Sequence, residues 1–312
     1  MVKEPIAVSF WDKERDCEYI FNTSGPFWHV YTDGHSSDMI FTCKEDMVMA
    51  MNIMGVCSTY FPDVGIYTFI LMNNHVHNIM SGRRERCEQF FEMVKGKLSR
   101  CFARNGKVVK LKDFNCQMIE ITSLQSLRNE IAYVNRNGFV AISSCTPFSY
   151  PWGAGACFFN PFLGRLPSVR FDDLTIRERR CISHSSSLDF ASGSLMVHDG
   201  VILPSSFCRI KEAEALFRNA HHYFQHLSRR FEAYSEIASR LHEKVFITDE
   251  EMYSAVCAIC QKSYNVKHPG HLSAEKRVEL ARRMKFEYNA SNRQVRNILK
   301  LDKTIVDELF PD

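Results

Sequence analysis

The hydrophobic and polar positions of the first half of the chain alternate between two periods. Trp28–Thr32, Gly65–Met72, His75–Ser81 and Met118–Thr122 are short runs rich in β-branched and aromatic residues, which predicts strands. Between them lie stretches of helical spacing. Lys44–Tyr60 places Val48, Met51, Ile53, Met54 and Cys57 along a broad apolar stripe. Cys87–Asn105 turns Phe90, Phe91, Val94 and Leu98 inward. From Ser123, a good N-cap, Leu124, Leu127, Ile131 and Val134 recur at helical spacing until Gly138, where the helix is expected to stop. The order is strand–helix–strand–strand–helix–strand–helix. It predicts an α+β fold, an antiparallel sheet with helices packed on it. Residues 1–24 are mixed and polar and read as an irregular lead-in, and Asp33–Ser37 has the composition of a loop.

After a turn-rich segment from Pro147 to Gly155, the composition of 160–204 is loop-like, with Ser185-Ser186-Ser187 and several glycines. Helical spacing returns over Lys211–Val245, Thr248–Tyr264 and Ser273–Tyr288. It ends in two short helices, Ser291–Leu299 and Asp302–Phe310, joined by a tight turn. Thr248 and Glu251 form a capping box. The expected division is a domain over 1–160, an irregular linker over 161–209 and a helical domain over 210–312. The terminal helix pair resembles a helix-turn-helix, with a plain bundle end as the alternative. Its last helix carries Asp307 and Glu308, a poor surface for a nucleic-acid groove.

The chain has 312 residues, 45% of them hydrophobic and 24% charged, enough for two folded domains. Its net charge of +3 means that any nucleic-acid surface must be a local patch. Such a patch is offered by Arg83–Lys112, where Lys97, Arg100 and Arg104 lie on the flanks of the second helix. A solvated basic face is the plainer alternative. The 12 cysteines are scattered among apolar residues. With no apolar stretch in Met1–Asp16 and no run long enough for a membrane span, a reduced, cytoplasmic protein without a membrane partner is expected. Cys257 and Cys260 read as buried core thiols, since no second pair follows at finger spacing.

Chemistry enters at Met72–Met80. His75 and His77 are separated by one aliphatic residue, and along a strand such positions face the same side. Two imidazoles side by side can bind a metal ion. Two unrelated histidines beside a hairpin turn at Asn73-Asn74 are the alternative. On the third helix, Tyr133 and Asn137 are four apart and share a face, so a nucleophile and an amide ligand could act together.

The order M-x-N-H-V-H, then Tyr133 and Asn137 on a helix, then Tyr150-Pro151-Trp152 resembles the REP-associated tyrosine transposases. These are single-tyrosine members of the HUH nucleases, named for His-hydrophobic-His. Gly25–Val30 is similar to the family's G-T-W-H segment, and the likeness covers residues 25–155. It departs at Asn73, Asn78 and Gly138, where the family usually has proline, leucine and proline; none of these supplies a ligand or the nucleophile. The resemblance implies a ferredoxin-like sheet with both histidines on a central strand. It implies Tyr133 as nucleophile, and His75, His77 and Asn137 as ligands of Mg²⁺. Mn²⁺ would suit such a mixed imidazole–amide set at least as well. It also implies single-stranded or hairpin DNA as partner, contacted by Trp28, His29, Lys97, Arg100 and Arg104, in a monomer or a homodimer.

The implied reaction is DNA transposition by transesterification through a 5′-phosphotyrosine. A phenol of ordinary pKa about 10 needs help to react at neutral pH, and a divalent ion on the scissile phosphate would supply it. No phosphate-binding G-x-x-x-x-G-K-[ST] run is present, in keeping with a reaction that needs no nucleotide energy source. Two rivals stand beside it. One is a rolling-circle HUH initiator, for which Arg136 lies where a lysine is often found. The other is a catalytically idle or domesticated DNA-binding protein.

Overall fold

The computed structural model describes residues 6–311 apart from 13–15, 24, 35–38, 108–110, 112–113, 142–145, 147, 230, 242–246, 287 and 289. The expected loop at 35–37, the basic residues Lys110 and Lys112, Pro147 and the stretch 242–245 therefore lie outside the described residues. Contacts divide the chain into two compact units, Met1–Leu227 and Ser228–Asp312.

The first unit opens with an antiparallel hairpin, β1 (Ile6–Asp12) and β2 (Cys17–Thr23), where an irregular lead-in was expected. Phe10 and Phe21 hold it down, their rings 5.7 and 4.9 Å from that of Phe27. Then follow β3 (Phe27–Tyr31), α1 (Lys44–Ser58), β4 (Gly65–Leu71), β5 (Val76–Ser81), α2 (Arg84–Arg104), β6 (Gln117–Ile121) and α3 (Leu124–Ala141). The four strands β3–β6 form one antiparallel sheet in the order β4-β5-β3-β6. The chain is thus mixed α+β, as its two hydrophobic periods predict.

The sheet's two faces are covered by different layers. Val76 and Asn78 share one face of β5 and line a small cavity with Met54 of α1 and Phe90, Val94 and Leu98 of α2. The other face carries His77 of β5 and His29 of β3 toward α3 and the β1–β2 hairpin. Gly138 lies within α3, which runs on to Ala141. A glycine weakens a helix without having to end it. Here a Cβ at 138 would meet the Tyr150 ring at 2.4 Å, so the position needs glycine for close approach. The segment around Tyr150 docks on the free edge of β4: Leu71 N–H donates to Trp152 O (2.8 Å) and Ala154 N–H to Phe69 O (2.9 Å).

Asn78 stands out on the α1–α2 side. It is buried, and its Oδ1 has no hydrogen-bond partner among the described residues. An unmet buried acceptor costs about 1–3 kcal/mol. Asn78→Leu removes it and fills an apolar site, so urea unfolding should show a gain of about 1–3 kcal/mol. A loss of stability would mean that the amide is satisfied in solution.

The expected linker is instead folded onto α1. β7 (Val169–Arg170), α4 (Ile176–Ser183), β8 (Met196–His198) and β9 (Val201–Ile202) carry Phe171, Leu195, Val197 and Ile202 into a cluster with Val56. Asn52 of α1 clamps this layer, donating to Gly200 O (2.9 Å) and accepting from Ile202 N–H (2.8 Å). The boundary near residue 160 accordingly moves to 227. In place of one long helix from Lys211, the chain forms α5 (Ile210–Ala215), α6 (Ala220–Arg229) and α7 (Phe231–Arg240).

The second unit holds α7 together with α8 (Asp249–Tyr264), α9 (Ala274–Phe286), α10 (Asn292–Leu299) and α11 (Lys303–Leu309). The capping box of Thr248 and Glu251 is formed. Cys260 joins the unit's apolar core while Cys257 is half-buried. α10 and α11 are joined through Lys300 in the left-handed region (φ 52°), with Asp302 capping α11. Among the described residues no helix is long and apolar enough to cross a membrane.

Candidate functional site

The site is built where α3 crosses the sheet. Ser123 Oγ accepts from Ser126 N–H (3.1 Å) and starts the helix. Its buried leucine and isoleucine positions fix the roll of the helix. Glu130, Tyr133 and Asn137, spaced by three and four, then share one face. Beneath them β3 and β5 pair Tyr31 with His77, so His29, Tyr31 and His77 share a face of the sheet.

His75, His77 and Tyr133 come together there. The rings of His75 and His77 are 5.0 Å apart with planes at 89°. The Tyr133 ring is 5.8 Å from that of His77 and 6.2 Å from that of His29. Asn137 is buried one turn beyond Tyr133. His75 is half-buried, whereas His77 and Tyr133 are 0% and 2% exposed.

A polar chain holds the imidazoles in place. Glu130 Oε2 is 2.7 Å from His29 Nδ1, and His29 Nε2 is 3.0 Å from His77 Nδ1. On the outer side, His75 Nδ1 is 2.7 Å from Asn74 Oδ1. A carboxylate only accepts, so His29 donates from Nδ1. In the tautomer in which His29 Nε2 accepts from His77 Nδ1–H, the His77 lone pair lies on Nε2. Asn74 fixes His75 in the same tautomer. Nδ1 protonated and held by an oxygen or a further ring, with Nε2 as the donor atom, is the state that metal-bound histidines adopt. Among the described residues no group of three or more His, Cys, Asp or Glu side chains is arranged to hold a metal. A third protein ligand would therefore be an amide such as Asn137. Two imidazoles and an amide are donors of the kind a divalent ion accepts.

His77 has its pKa held well below the ordinary value, first by burial and then by neighbouring His29. In the unfolded chain this imidazole protonates near pH 6.5. Below that pH the unfolded state binds more protons, so its contribution to stability is complete above about pH 6.5 and drains as the pH falls toward the folded pKa. Urea titrations from about pH 7 to about pH 5 should show a slope of up to about 1.4 kcal/mol per pH unit that His77→Asn lacks. Equal slopes in the two proteins would mean that His77 takes up a proton within the fold.

The other expected site residues lie elsewhere. Trp28 points to the opposite face, 7% exposed, donating from Nε1 to Gly82 O (3.0 Å) beneath the Arg84 guanidinium. Trp28 and His29, expected to touch DNA, are thus interior: one anchors the sheet and the other orients His77. Lys97, Arg100 and Arg104 belong to α2, in the layer across the sheet from Tyr133, and do not reach the imidazoles. Glu130 escaped the sequence reading although its place three residues before Tyr133 puts it on the tyrosine's face. Asn74 was read only as a turn residue.

No family model, no curated protein and no solved structure matches this chain.

Proposed function

We propose that the protein is a single-tyrosine HUH strand transferase acting on single-stranded or hairpin DNA. The observation that carries this reading is the ordered run Glu130–His29–His77, with His75 beside it and Tyr133 against it. It brings two imidazoles and a phenol together, the His77 ring 5.0 Å from that of His75 and 5.8 Å from that of Tyr133. The strand order β4-β5-β3-β6 with interleaved helices fits a ferredoxin-like split βαβ sheet, with His77 on a central strand.

A divalent ion, Mg²⁺ or Mn²⁺, held by His75, His77 and Asn137 would withdraw charge from the scissile phosphate. Tyr133 Oη bonds to phosphorus and the P–O3′ bond breaks. The proton lost by the phenol is matched by the one gained at the 3′-hydroxyl. The 5′ end stays on the protein as a phosphotyrosine, and reversal rejoins the strand. Glu130 and His29 position His77. Tyr133 is only 2% exposed, so cleavage requires the cover over it to shift. The same burial favours one second reading, an idle DNA-binding protein that keeps the fold without the chemistry.

Labelled hairpin oligonucleotides incubated with the full chain and Mg²⁺ or Mn²⁺, then run on a denaturing gel, separate the two. The transferase forms a metal-dependent, denaturant-resistant adduct on single strands and not on plain duplex. The idle binder retards DNA on a native gel and forms no adduct.

A further inference from the structure

We infer that a second site, across the sheet from Tyr133, binds a phosphoryl oxyanion between α2 and the end of α4. A cavity of about 80 Å³ is lined there by Lys97, Arg100 and Arg104 with Ser183, His184 and Ser185. No carboxylate lines it, and among the described residues none of the three cations makes an ion pair. Three unneutralised cations around one hollow repel each other, and an anion relieves that repulsion.

A solvated basic face would explain the cations alone. It does not explain Ser183, which is 1% exposed, lines the cavity, and whose Oγ has no hydrogen-bond partner among the described residues. One turn earlier on the same face of α4, Arg179 Nε is also buried and unmet. A buried hydroxyl that donates to nothing in the protein costs stability, and an oxyanion in the cavity would accept from it. His184 is held below its usual pKa, first by burial and then by the Lys97 charge, so at neutral pH it is an uncharged donor. The carbonyl end of α4 opposes an anion with about half a charge. Three full positive charges outweigh it.

The chemistry fits a phosphoryl group, whether of a free phosphate compound or of a nucleic-acid backbone. It needs no cleavage by Tyr133, and inorganic phosphate tests it apart from that reaction. Phosphate titrated into the full chain by calorimetry, at constant ionic strength in chloride, should bind saturably. Arg100→Gln should weaken it by about tenfold, the loss of one charge-assisted hydrogen bond. Ser183→Ala leaves the net charge unchanged and removes an unmet polar group, so it should fold at least as well. It should nevertheless weaken phosphate by about fivefold. Lys95→Gln, an equal charge change on α2 outside the cavity, should have no effect.

Competition then identifies the source. Displacement of phosphate by an oligonucleotide, weakened in Ser183→Ala, assigns the site to a nucleic-acid phosphate; displacement by a mononucleotide alone assigns it to a small phosphate compound. Non-saturable phosphate effects equal to those of chloride, or saturable binding that Ser183→Ala leaves unchanged, would overturn the site.

Discussion

Tyr133→Phe is expected to reduce covalent capture of single-stranded DNA to background while the protein stays folded and keeps binding DNA. The substitution removes one oxygen. Losing a buried hydroxyl costs about 0.5–1.5 kcal/mol, well within ordinary stability. Phenylalanine cannot bond to phosphorus, so no amount of metal restores the adduct. His75→Ala and His77→Ala should also abolish capture, by removing a ligand, and excess Mn²⁺ could partly restore a weakened metal site. That difference in rescue separates nucleophile from ligand. Tyr67 and Tyr150 are the nearby alternatives. Tyr67 Oη donates to Glu212 Oε2 (2.9 Å), and burial, then the Glu212 charge, push its pKa up, both unfavourable to attack. Tyr150 Oη donates to Leu71 O (2.7 Å), bracing the edge segment. Their phenylalanine variants should still be captured. A denaturant-resistant adduct on Tyr133→Phe would show that the nucleophile lies elsewhere.

The largest stability effect is expected at Arg128, one turn before Ala132 on the same helix. Its Nη2 lies 2.6 Å from Asp12 Oδ2, and its Nε donates to Leu216 O (2.6 Å); both side chains are almost wholly buried. The pair ties α3 to the β1–β2 hairpin. Arg128→Leu leaves the Asp12 carboxylate buried beside an apolar group, which costs about 3–5 kcal/mol, a large part of a typical total of about 5–15 kcal/mol. Adding Asp12→Leu should recover most of that loss, because most of the penalty is the cost of keeping a carboxylate buried without its guanidinium. Urea unfolding of the two single variants and the double variant measures the coupling. Strict additivity would mean that water reaches the pair.

The core of the fold was legible because its signals are local. Four strand-like runs and three helices lie within a residue or three of their expected ends, and His75-Val76-His77 with Tyr133 marked the place where they meet. The β1–β2 hairpin was hidden because Trp11 and Ile20 face outward, 58% and 63% exposed, which blurs the alternation. The break between α5 and α6 was masked by Leu216, Phe217, Tyr223 and Leu227, which keep helical spacing across it. The legible clue was Asn219, whose Oδ1 caps the new helix at His222 N–H (2.9 Å). The layer built from 161–209 uses single apolar residues in a polar, glycine-containing stretch. Its signal lay in α1, which from Met47 to Cys57 is apolar on every side but for Asn52, as a helix buried on both sides must be. That the basic residues of α2 lie across the sheet from Tyr133 was not legible, since a helical period gives a face but not the layer that face belongs to.

The most direct measurement is identification of the linked residue itself. Full-length protein is incubated with a hairpin oligonucleotide pool and Mg²⁺ or Mn²⁺, digested with protease and nuclease, and examined by mass spectrometry. The expected product is a nucleotide joined through its 5′-phosphate to the peptide containing Tyr133, present with metal and absent with chelator. A linkage at any other tyrosine, or no linked peptide with either metal across the pool, would contradict it.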